Sequence, residues 1–518
     1  MTEQLVAAGP SGTARPGGPD GTEVPWERLH PRLIWVNAIR FGLSLVPSLL
    51  SIFVFRTEDD LLANWPALIA TAIGVITSVG DILRWLRTRY RISGDLVEIR
   101  TGRLVRVYRN IPRDRIRTVD LKTRLRHRLA GLRIVHISAG RARPEVKLDA
   151  VSKPMALVLQ RELMHANDED GLRETPLAGF RWSWLLYNTV NVSSPFVGTL
   201  LLWSLHSMLL VVGLDLVGAC RDVIDRVAPD GGPVAWLCWG LLVVVLGLCG
   251  LACGFVTQNW GLRLLRVHTG DGSSLLTRRG LLSTREVHRD DSRIRGIQIN
   301  EPLLTRWMGL TETSLVSTGL ATISFTGDPA AGILPRAPLK EVRRVVAQVL
   351  PGPVRPLEVP LRRHPPAALV HRLVWALVAP AAACGLLGWL GATGAVPPWA
   401  WTVPLWMLPV TVGLAVLAHR ALGHTLAGPY LVLRHGLMPR RTVALRTEAV
   451  IGLKLRQTLL QRALGLVTVG VPTAAGERFY HAPDMSVDQF IEFADEIVPE
   501  LTGDFLDRRP MEKENEPR

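Results

Sequence analysis

The chain has 518 residues, enough for several domains, and 48% of them are hydrophobic. Its net charge is +15, with 54 arginines against six lysines, which suits nucleic acid, anionic lipid or the cytoplasmic side of a membrane protein. The five cysteines lie in or beside apolar runs, without the Cys-x-x-Cys pairs or histidine spacing of a zinc site or a disulfide framework.

The two ends of the chain have the composition of disordered tails. Residues 1–26 are rich in Gly, Pro, Thr and Ala and lack the apolar core of a signal peptide. We therefore expect the first spanning helix to direct insertion into the membrane. Residues 503–518 are charged and contain proline, and we expect a second disordered tail there.

Six apolar runs of about 20 residues are each long enough to cross the hydrocarbon core of a membrane. They are Leu33–Val54, Leu61–Leu83, Ser194–Ala219, Val234–Val256, Ala367–Leu390 and Trp399–Ala418. Short connectors poor in positive charge join them in pairs, whereas arginines crowd the opposite ends. Because Arg and Lys accumulate on the cytoplasmic side, we predict three hairpins, at 27–86, 178–258 and 362–420, with both termini and all long segments in the cytoplasm.

Ionisable side chains inside the predicted spans are candidates for function. Arg40 in the first span and Asp81 in the second lie at similar depths from the cytoplasm, so we predict an ion pair across the hairpin. His371-Arg372 in the fifth span lies at a comparable depth. A proton- or ion-coupled path is the alternative interpretation.

Three stretches of the chain repeat one pattern, which indicates three copies of one folding unit. Each has a glycine, then 29 residues later a Gly-Leu pair, with an arginine three residues before that pair. The repeated residues are Gly102, Arg128 and Gly131; Gly280, Arg306 and Gly309; and Gly436, Arg462 and Gly465. We expect the arginines to hydrogen-bond carbonyls at a turn. The second glycines should mark a backbone with positive φ or a close approach.

Short alternating runs separated by turn residues fill each copy, as in an antiparallel sheet or barrel. In copy one, Leu96–Ile99 leads through a turn at Thr101-Gly102 into Leu104–Tyr108, and Leu132–Ile137 follows Gly131. Each copy closes with a helical pattern, at Pro154–Leu163, Leu339–Leu350 and Val487–Ile497. We predict three small β domains with a C-terminal helix, at 87–165, 259–350 and 421–498.

Several motifs resemble the bacterial PH-like membrane proteins that carry the bPH2 domain, formerly DUF304. These motifs are Leu29-His30-Pro31, His364-Pro365, Tyr90-Arg91-Ile92, Gly102, Ile111-Pro112-Arg113-Asp114-Arg115-Ile116 and Arg128-Leu129-Ala130-Gly131-Leu132. Three copies with paired helices are similar to the three-domain type of that family, over residues 27–500. Copy one matches most closely, whereas copy three has Val443-Ala444-Leu445 where Ile-Pro-Arg is expected.

The resemblance implies PH-like β-barrel or sandwich domains and a role in envelope integrity or tolerance of antimicrobial compounds. The partners it implies are membrane lipids, a shorter bPH2 membrane protein or other envelope proteins. With the six predicted spans, the fold class is an α+β integral membrane protein of the cytoplasmic membrane with three cytoplasmic PH-like domains.

Copy one has a strongly basic composition, with 18 Arg and Lys against five acidic residues over 87–147. Two interpretations stay open: a platform for anionic lipid headgroups, or arginines that only fix topology and make structural pairs. The candidates for lipid or partner binding are Arg103, Arg106, Arg109, Arg113 and Arg115. Nucleic acid is not expected, because aromatic residues for base stacking are few here.

The sequence contains no motif of a metalloprotease, a serine hydrolase or a phosphate-binding loop, and it indicates no cofactor or metal. We therefore expect a non-enzymatic membrane scaffold whose domains bind protein partners or anionic lipid. The alternative is a transporter or flippase-like component that uses the helix bundle.

Overall fold

The structure is a computed structural model that describes most of the chain between residues 25 and 497. The described residues are 25–35, 37–39, 41–42, 45–46, 65–93, 96–101, 107–112, 116, 118–138, 146–163, 173–210, 214–229, 231–269, 272–318 and 331–497. They form a mixed α+β fold with several antiparallel sheets.

Copy one is preceded by β1 (Glu27–Arg28) and the long helix α1 (Trp65–Arg87). Its own elements are six strands, a one-turn helix before the fifth strand and a closing helix. They are β2 (Arg89–Ile92), β3 (Leu96–Thr101), β4 (Val107–Pro112), β5 (Thr118–Thr123), α2 (Leu125–Leu129), β6 (Leu132–Ser138), β7 (Val146–Ser152) and α3 (Lys153–Leu163).

Copy two has the same element order. Before it come β8 (Arg173–Gly179), α4 (Ser183–Thr189), α5 (Ser194–Leu210), α6 (Leu216–Val227) and α7 (Pro233–Asn259). The copy itself consists of β9 (Arg263–Thr269), β10 (Gly272–Arg279), β11 (Thr284–Asp290), β12 (Ile294–Glu301), α8 (Leu303–Arg306), β13 (Leu310–Ser317), β14 (Gly332–Pro338) and α9 (Leu339–Val349).

Copy three follows α10 (Pro366–Ala392), α11 (Thr402–Trp406) and α12 (Leu408–Arg420). Its elements are β15 (Gly423–Ala427), β16 (Tyr430–His435), β17 (Arg440–Arg446), β18 (Lys454–Arg456), α13 (Leu459–Ala463), β19 (Leu466–Pro472), β20 (Phe479–Ser486) and α14 (Val487–Ile497). The same order of strands and helices therefore recurs in all three copies.

The repeated glycines have a local reason. Gly131, Gly309 and Gly465 have φ values of 69°, 66° and 63°. Each lies between a one-turn helix and the strand that follows it. Glycine adopts this left-handed conformation without the steric cost that a Cβ imposes.

The first of two compact units comprises residues 1–172, 191–258 and 278–288. It contains the sheet β1-β2-β3-β4 and the strand order β7-β6-β5, with the turn region of the β10–β11 hairpin next to β5. The core lies within copy one, where Val97, Val119 and Leu148 have no exposed surface. The alternation of buried and exposed residues along β3 places one face of that strand in the core.

The second unit comprises residues 173–190, 259–277 and 289–518. One six-stranded sheet in it has the order β14-β13-β12-β17-β16-β15, so strands of copies two and three share one sheet. The sheet β18-β19-β20 packs with β16 and β17 around a core that includes Leu431, Val469 and Tyr480.

Two helices in the described part of the chain are long and apolar enough to cross a membrane, α7 and α10, each of 27 residues. Helices α4 and α5 meet that test only as a bent pair, which is either one broken span or a re-entrant loop. The predicted span Ser194–Ala219 is not confirmed as one helix, because α5 is described over Ser194–Leu210 and residues 211–213 lie outside the described residues. Asp215 instead caps a separate helix, α6, by accepting the backbone N–H of Gly218 at 2.8 Å.

The remaining predicted spans differ in how much of them is described. Leu33–Val54 lies largely outside the described residues, and Leu61–Leu83 overlaps α1. Trp399–Ala418 contains α11 and α12, of 5 and 13 residues, with Met407 between them. Proline at positions 404 and 409 removes backbone donors there, which accounts for the interrupted helix.

Candidate functional site

The beginning of each predicted hairpin is tied to the last strand of a β domain by one recurring contact. In every copy the acceptor is the backbone carbonyl of the residue three positions before the closing helix. The pairs are His30 N to Ala150 O at 3.0 Å, Asn188 Nδ2 to Arg336 O at 3.1 Å, and His364 Nδ1 to Asp484 O at 3.1 Å. We call this contact the leader clamp, and it ties the beginning of each predicted hairpin to a β domain.

In copy three the clamp includes a buried polar cluster centred on Asp484. Its side chain is 4% exposed, and its backbone has a positive φ of 62°. Gln461 Nε2 donates to Asp484 Oδ1 at 2.8 Å, Arg372 Nη2 lies 3.3 Å from Oδ2, and His371 Nδ1 lies 2.9 Å from Oδ1. A buried carboxylate needs such charged and hydrogen-bonding partners to offset its desolvation.

Two histidines outside the spans extend this cluster. His364 Nε2 lies 3.2 Å from His424 Nδ1, and the two rings meet edge to face. Burial lowers the pKa of both His364 and His424 to about 4, and the mutual proximity of the rings adds to this at His424. Both side chains are therefore neutral at physiological pH.

The repeated arginines join one copy to the next. Arg128 Nη1 donates to the Leu281 carbonyl at 3.3 Å, and Arg306 Nη2 donates to the Leu437 carbonyl at 2.8 Å. Leu281 and Leu437 hold the same station, by which we mean the same position counted along the repeat. Each comes directly after a turn glycine, Gly280 or Gly436. The first contact lies within the first compact unit and the second within the second unit. The same contact is therefore made at two successive copy junctions.

Further side-chain pairs support each junction. At the first, Arg285 Nε donates to Asp120 Oδ2 at 2.9 Å. At the second, Arg440 Nε donates to Glu301 Oε2 at 2.9 Å. Strands β12 and β17 approach so closely that a Cβ on Gly296 would clash with the Ala444 carbonyl oxygen. The second junction therefore depends on glycine at position 296.

A cationic groove lies on the exposed side of α9. It has a volume of about 560 Å³ and is lined by Lys340, Arg343, Arg344 and Arg355, with Glu358 as the acidic residue. Arg343 also lines a smaller neighbouring cavity of about 140 Å³ together with Arg434 and Arg440. This concentration of cations is suited to phosphate or carboxylate groups.

The structure does not describe most of the residues that we predicted for lipid binding. Arg103, Arg106, Arg113 and Arg115 lie outside the described residues, and Arg109 lies in β4. Arg40 and the side chain of Asp81 also lie outside them, as does Gly102. The ion pair and the lipid platform on copy one therefore stay predictions.

Other basic residues of copy one make structural contacts. Arg91 Nε donates to Glu98 Oε2 at 2.6 Å, and the Arg100 guanidinium lies 3.9 Å from the ring centroid of Trp26. Two of the basic residues, Arg91 and Arg100, therefore make structural contacts within the described residues.

Sequence reasoning did not single out Asp484, Gln461 or the groove on α9. For Asp484 the sequence did contain a signal. It holds the same station in copy three as Ala150 in copy one, and both copies have a His-Pro leader, so a carboxylate replaces an alanine at an otherwise repeated position. The groove carried no such signal, because Arg355 comes from a loop that the fold alone brings to α9.

The model of the bacterial PH domain family, bPH_2, matches residues 38–167 and 374–500. These regions include copies one and three with parts of the helices before them. The chain belongs to the bacterial PH domain family and carries the domain more than once. No curated protein and no solved structure matches the chain.

Proposed function

We propose that the protein is a non-enzymatic scaffold of a bacterial cytoplasmic membrane. In this proposal six spanning helices in three hairpins carry three cytoplasmic PH-like domains, and both termini are cytoplasmic. The domains bind anionic lipid headgroups and protein partners, such as a shorter bPH2 membrane protein or other envelope proteins, in support of envelope integrity.

The observation that carries this proposal is the repeated use of polar residues to hold each β domain against its neighbouring segments. Leader clamps tie the beginning of each predicted hairpin to a β domain, and two of the repeated arginines bind the turn of the following copy. Contacts that hold a domain in place preorganise its binding surface, which reduces the entropy lost on binding.

The groove on α9 supports the lipid part of the proposal. Lys340 and Arg344 are partly or fully exposed there, next to Arg343 and Arg355. Each basic group near an anionic membrane surface contributes about 1 kcal/mol to its attraction. Arg344 pairs with Glu341 at 3.8 Å and Arg355 with Glu358 at 3.6 Å, so Lys340 and Arg343 supply the net positive charge that favours anionic lipid.

The lipid proposal is tested on the full chain in a mild detergent by native mass spectrometry. We expect wild-type protein to retain phosphatidylglycerol or cardiolipin, and K340E/R344E to retain several-fold less. K454E/R456E, which reverses two exposed cations on β18, is the matched control and should retain as much as wild type. Equal retention by wild type and K340E/R344E would remove the groove from the proposal.

Orientation is tested by cysteine accessibility in a cysteine-free background. Asp60→Cys and Asp230→Cys should react with an impermeant thiol reagent in intact cells, whereas Glu448→Cys, whose side chain is 76% exposed on copy three, should react only after lysis. Labelling of Glu448→Cys in intact cells would reverse the orientation.

A transporter or flippase-like component is the second candidate. It would require polar side chains near the middle of the spans, where α7 has no charged residue and α10 has His371 and Arg372 only within its first two turns. Substrate-dependent flux through the reconstituted protein, lost on changing these residues, would favour this alternative.

A further inference from the structure

Among the described residues, one strand edge is covered in copies one and two and left without a neighbouring strand in copy three. The edge belongs to the fourth strand of a copy: β5, β12 or β18. The hairpin strand β11 of copy two lies beside β5, and β17 of copy three lies beside β12. Strand β18 ends its sheet, and its residues Lys454–Arg456 are all exposed.

On the β18 edge, an apolar side chain that is buried by a neighbouring strand in the other two copies is exposed to solvent. Leu455 holds the station of Leu121 and Ile299, counted from the second repeated glycine. Leu121 and Ile299 are 1% and 2% exposed, whereas Leu455 is 51% exposed. An apolar residue half in water on a strand edge is typical of a surface that pairs with another strand.

Two further residues hold the stations that make the covered junction. Gly452 corresponds to Gly296, the residue that allows β17 to approach β12, yet no atom lies within 4 Å of a Cβ placed on Gly452. Thr118 holds this station in copy one, so the close approach is a feature of the second junction. Arg462 corresponds to Arg128 and Arg306, and its exposed side chain makes no hydrogen bond or ion pair with any described residue.

We propose that the β18 edge binds the third strand of a PH-like domain on a different polypeptide, as β12 binds β17. This proposal rests on the proposed scaffold function and specifies its protein partner. The hairpin turn of the partner supplies the carbonyl for Arg462, and its strand pairs along Gly452–Arg456.

Charge determines which hairpin fits. At the first junction the copy that offers the edge has Asp120, and the incoming hairpin has Arg285. Copy three has Lys454 at the station of Asp120, so the charge is reversed. The complementary hairpin therefore carries Asp or Glu at the station of Arg285, five residues after its turn glycine.

A second copy of this chain does not fit that requirement. Its free hairpin strand is β4, at the end of the β1-β2-β3-β4 sheet. At the station of Arg285, five residues after the repeated glycine Gly102, a second copy has Val107, which offers no acidic partner to Lys454. The partner is therefore an acidic PH-like hairpin rather than this chain itself.

The test places a photo-crosslinking amino acid at Leu455 of the full chain, in the cells that make the protein. Mass spectrometry then identifies the crosslinked peptide. We expect a strand from a PH-like domain of another protein, with an acidic residue five positions after a turn glycine. Gly452→Val and Arg462→Ala should each lower the yield at least fivefold, whereas Gly352→Val, another glycine with open space around it, should not.

Several results would overturn the proposal. They are a crosslink to lipid alone, to β4 of a second copy or to a protein without a PH-like strand, the absence of any crosslink, or a yield that Gly452→Val leaves unchanged. Retention of anionic lipid is measured on the same variants, so loss of the crosslink with normal lipid retention removes this inference and leaves the lipid-binding scaffold standing.

Discussion

Copies one and three begin with the same His-Pro leader but hold it with different chemistry. In copy one the backbone N–H of His30 donates to the Ala150 carbonyl. In copy three the side chain of His364 binds the carbonyl of Asp484, whose carboxylate also holds Arg372 and Gln461. Between these two copies one backbone arrangement is thus kept, while copy three adds a buried polar cluster centred on Asp484.

The same two copies differ at the edge of their fourth strand. Arg128 and Leu121 of copy one are satisfied or buried, whereas Arg462 and Leu455 of copy three face solvent. Sequence repetition therefore preserves the position of a residue without preserving its environment. The contacts of a repeated residue therefore depend on its copy and not only on its position in the repeat.

The largest expected effect is at the carboxylate. Asp484→Ala leaves Arg372 buried without its acidic partner, which typically costs about 3–5 kcal/mol of unfolding free energy. Hydrogen exchange of β20 and α14, followed by mass spectrometry, should show the loss. Glu492→Ala, which removes the exposed partner of Arg362, is the control and should cost about 1 kcal/mol or less. Equal protection in both variants would mean that the cluster does not stabilise copy three.

The next effect compares the two leucines. Leu121→Ala removes buried apolar volume from the core of copy one and should cost about 2–5 kcal/mol. Leu455→Ala should cost well under that, because its side chain is already half in water. Hydrogen exchange of β6 and of β19 reports the two copies separately. A similar loss at both positions would contradict an open edge on β18.

The histidine pair gives copy three a pH dependence. His364 and His424 have a pKa of about 4 in the folded protein, below the ordinary value of 6.5, so the unfolded chain binds more protons between these pH values. Their contribution is present above about pH 6.5 and is lost as the pH falls towards 4. Exchange protection of β20, measured from pH 7 to 4, should fall in wild type and much less in H364N/H424N.

The smallest effect concerns the repeated arginines. Arg128→Ala leaves the Leu281 carbonyl without its charged donor and should cost about 0.5–1.5 kcal/mol, because water can replace the donor at this exposed site. Arg462→Ala should change stability by about 0.5 kcal/mol or less, because its side chain has no partner among the described residues. Thermal unfolding of the full chain in detergent measures both. A large cost at Arg462 would show that the third arginine has a structural partner within this chain.

Much of the architecture was predictable because it depends on local rules. Alternating runs gave the antiparallel strands of copy one, and the family resemblance is confirmed by the bPH_2 matches. The third apolar run is not confirmed as one helix, because hydropathy alone did not register that Asp215 starts a new helix. Six spans stay a prediction, with two helices now meeting the requirements for a span.

The sequence by itself determined the repeat, the turn glycines and the composition of each strand, since these follow from backbone sterics and the two-residue period of a strand. Only the tertiary structure decided the acceptors of the repeated arginines. Arg128 bonds Leu281 across 153 positions, and Arg306 bonds Leu437 across 131. Pairing between distant strand edges depends on how whole sheets meet, and no local pattern encodes which edge is left open.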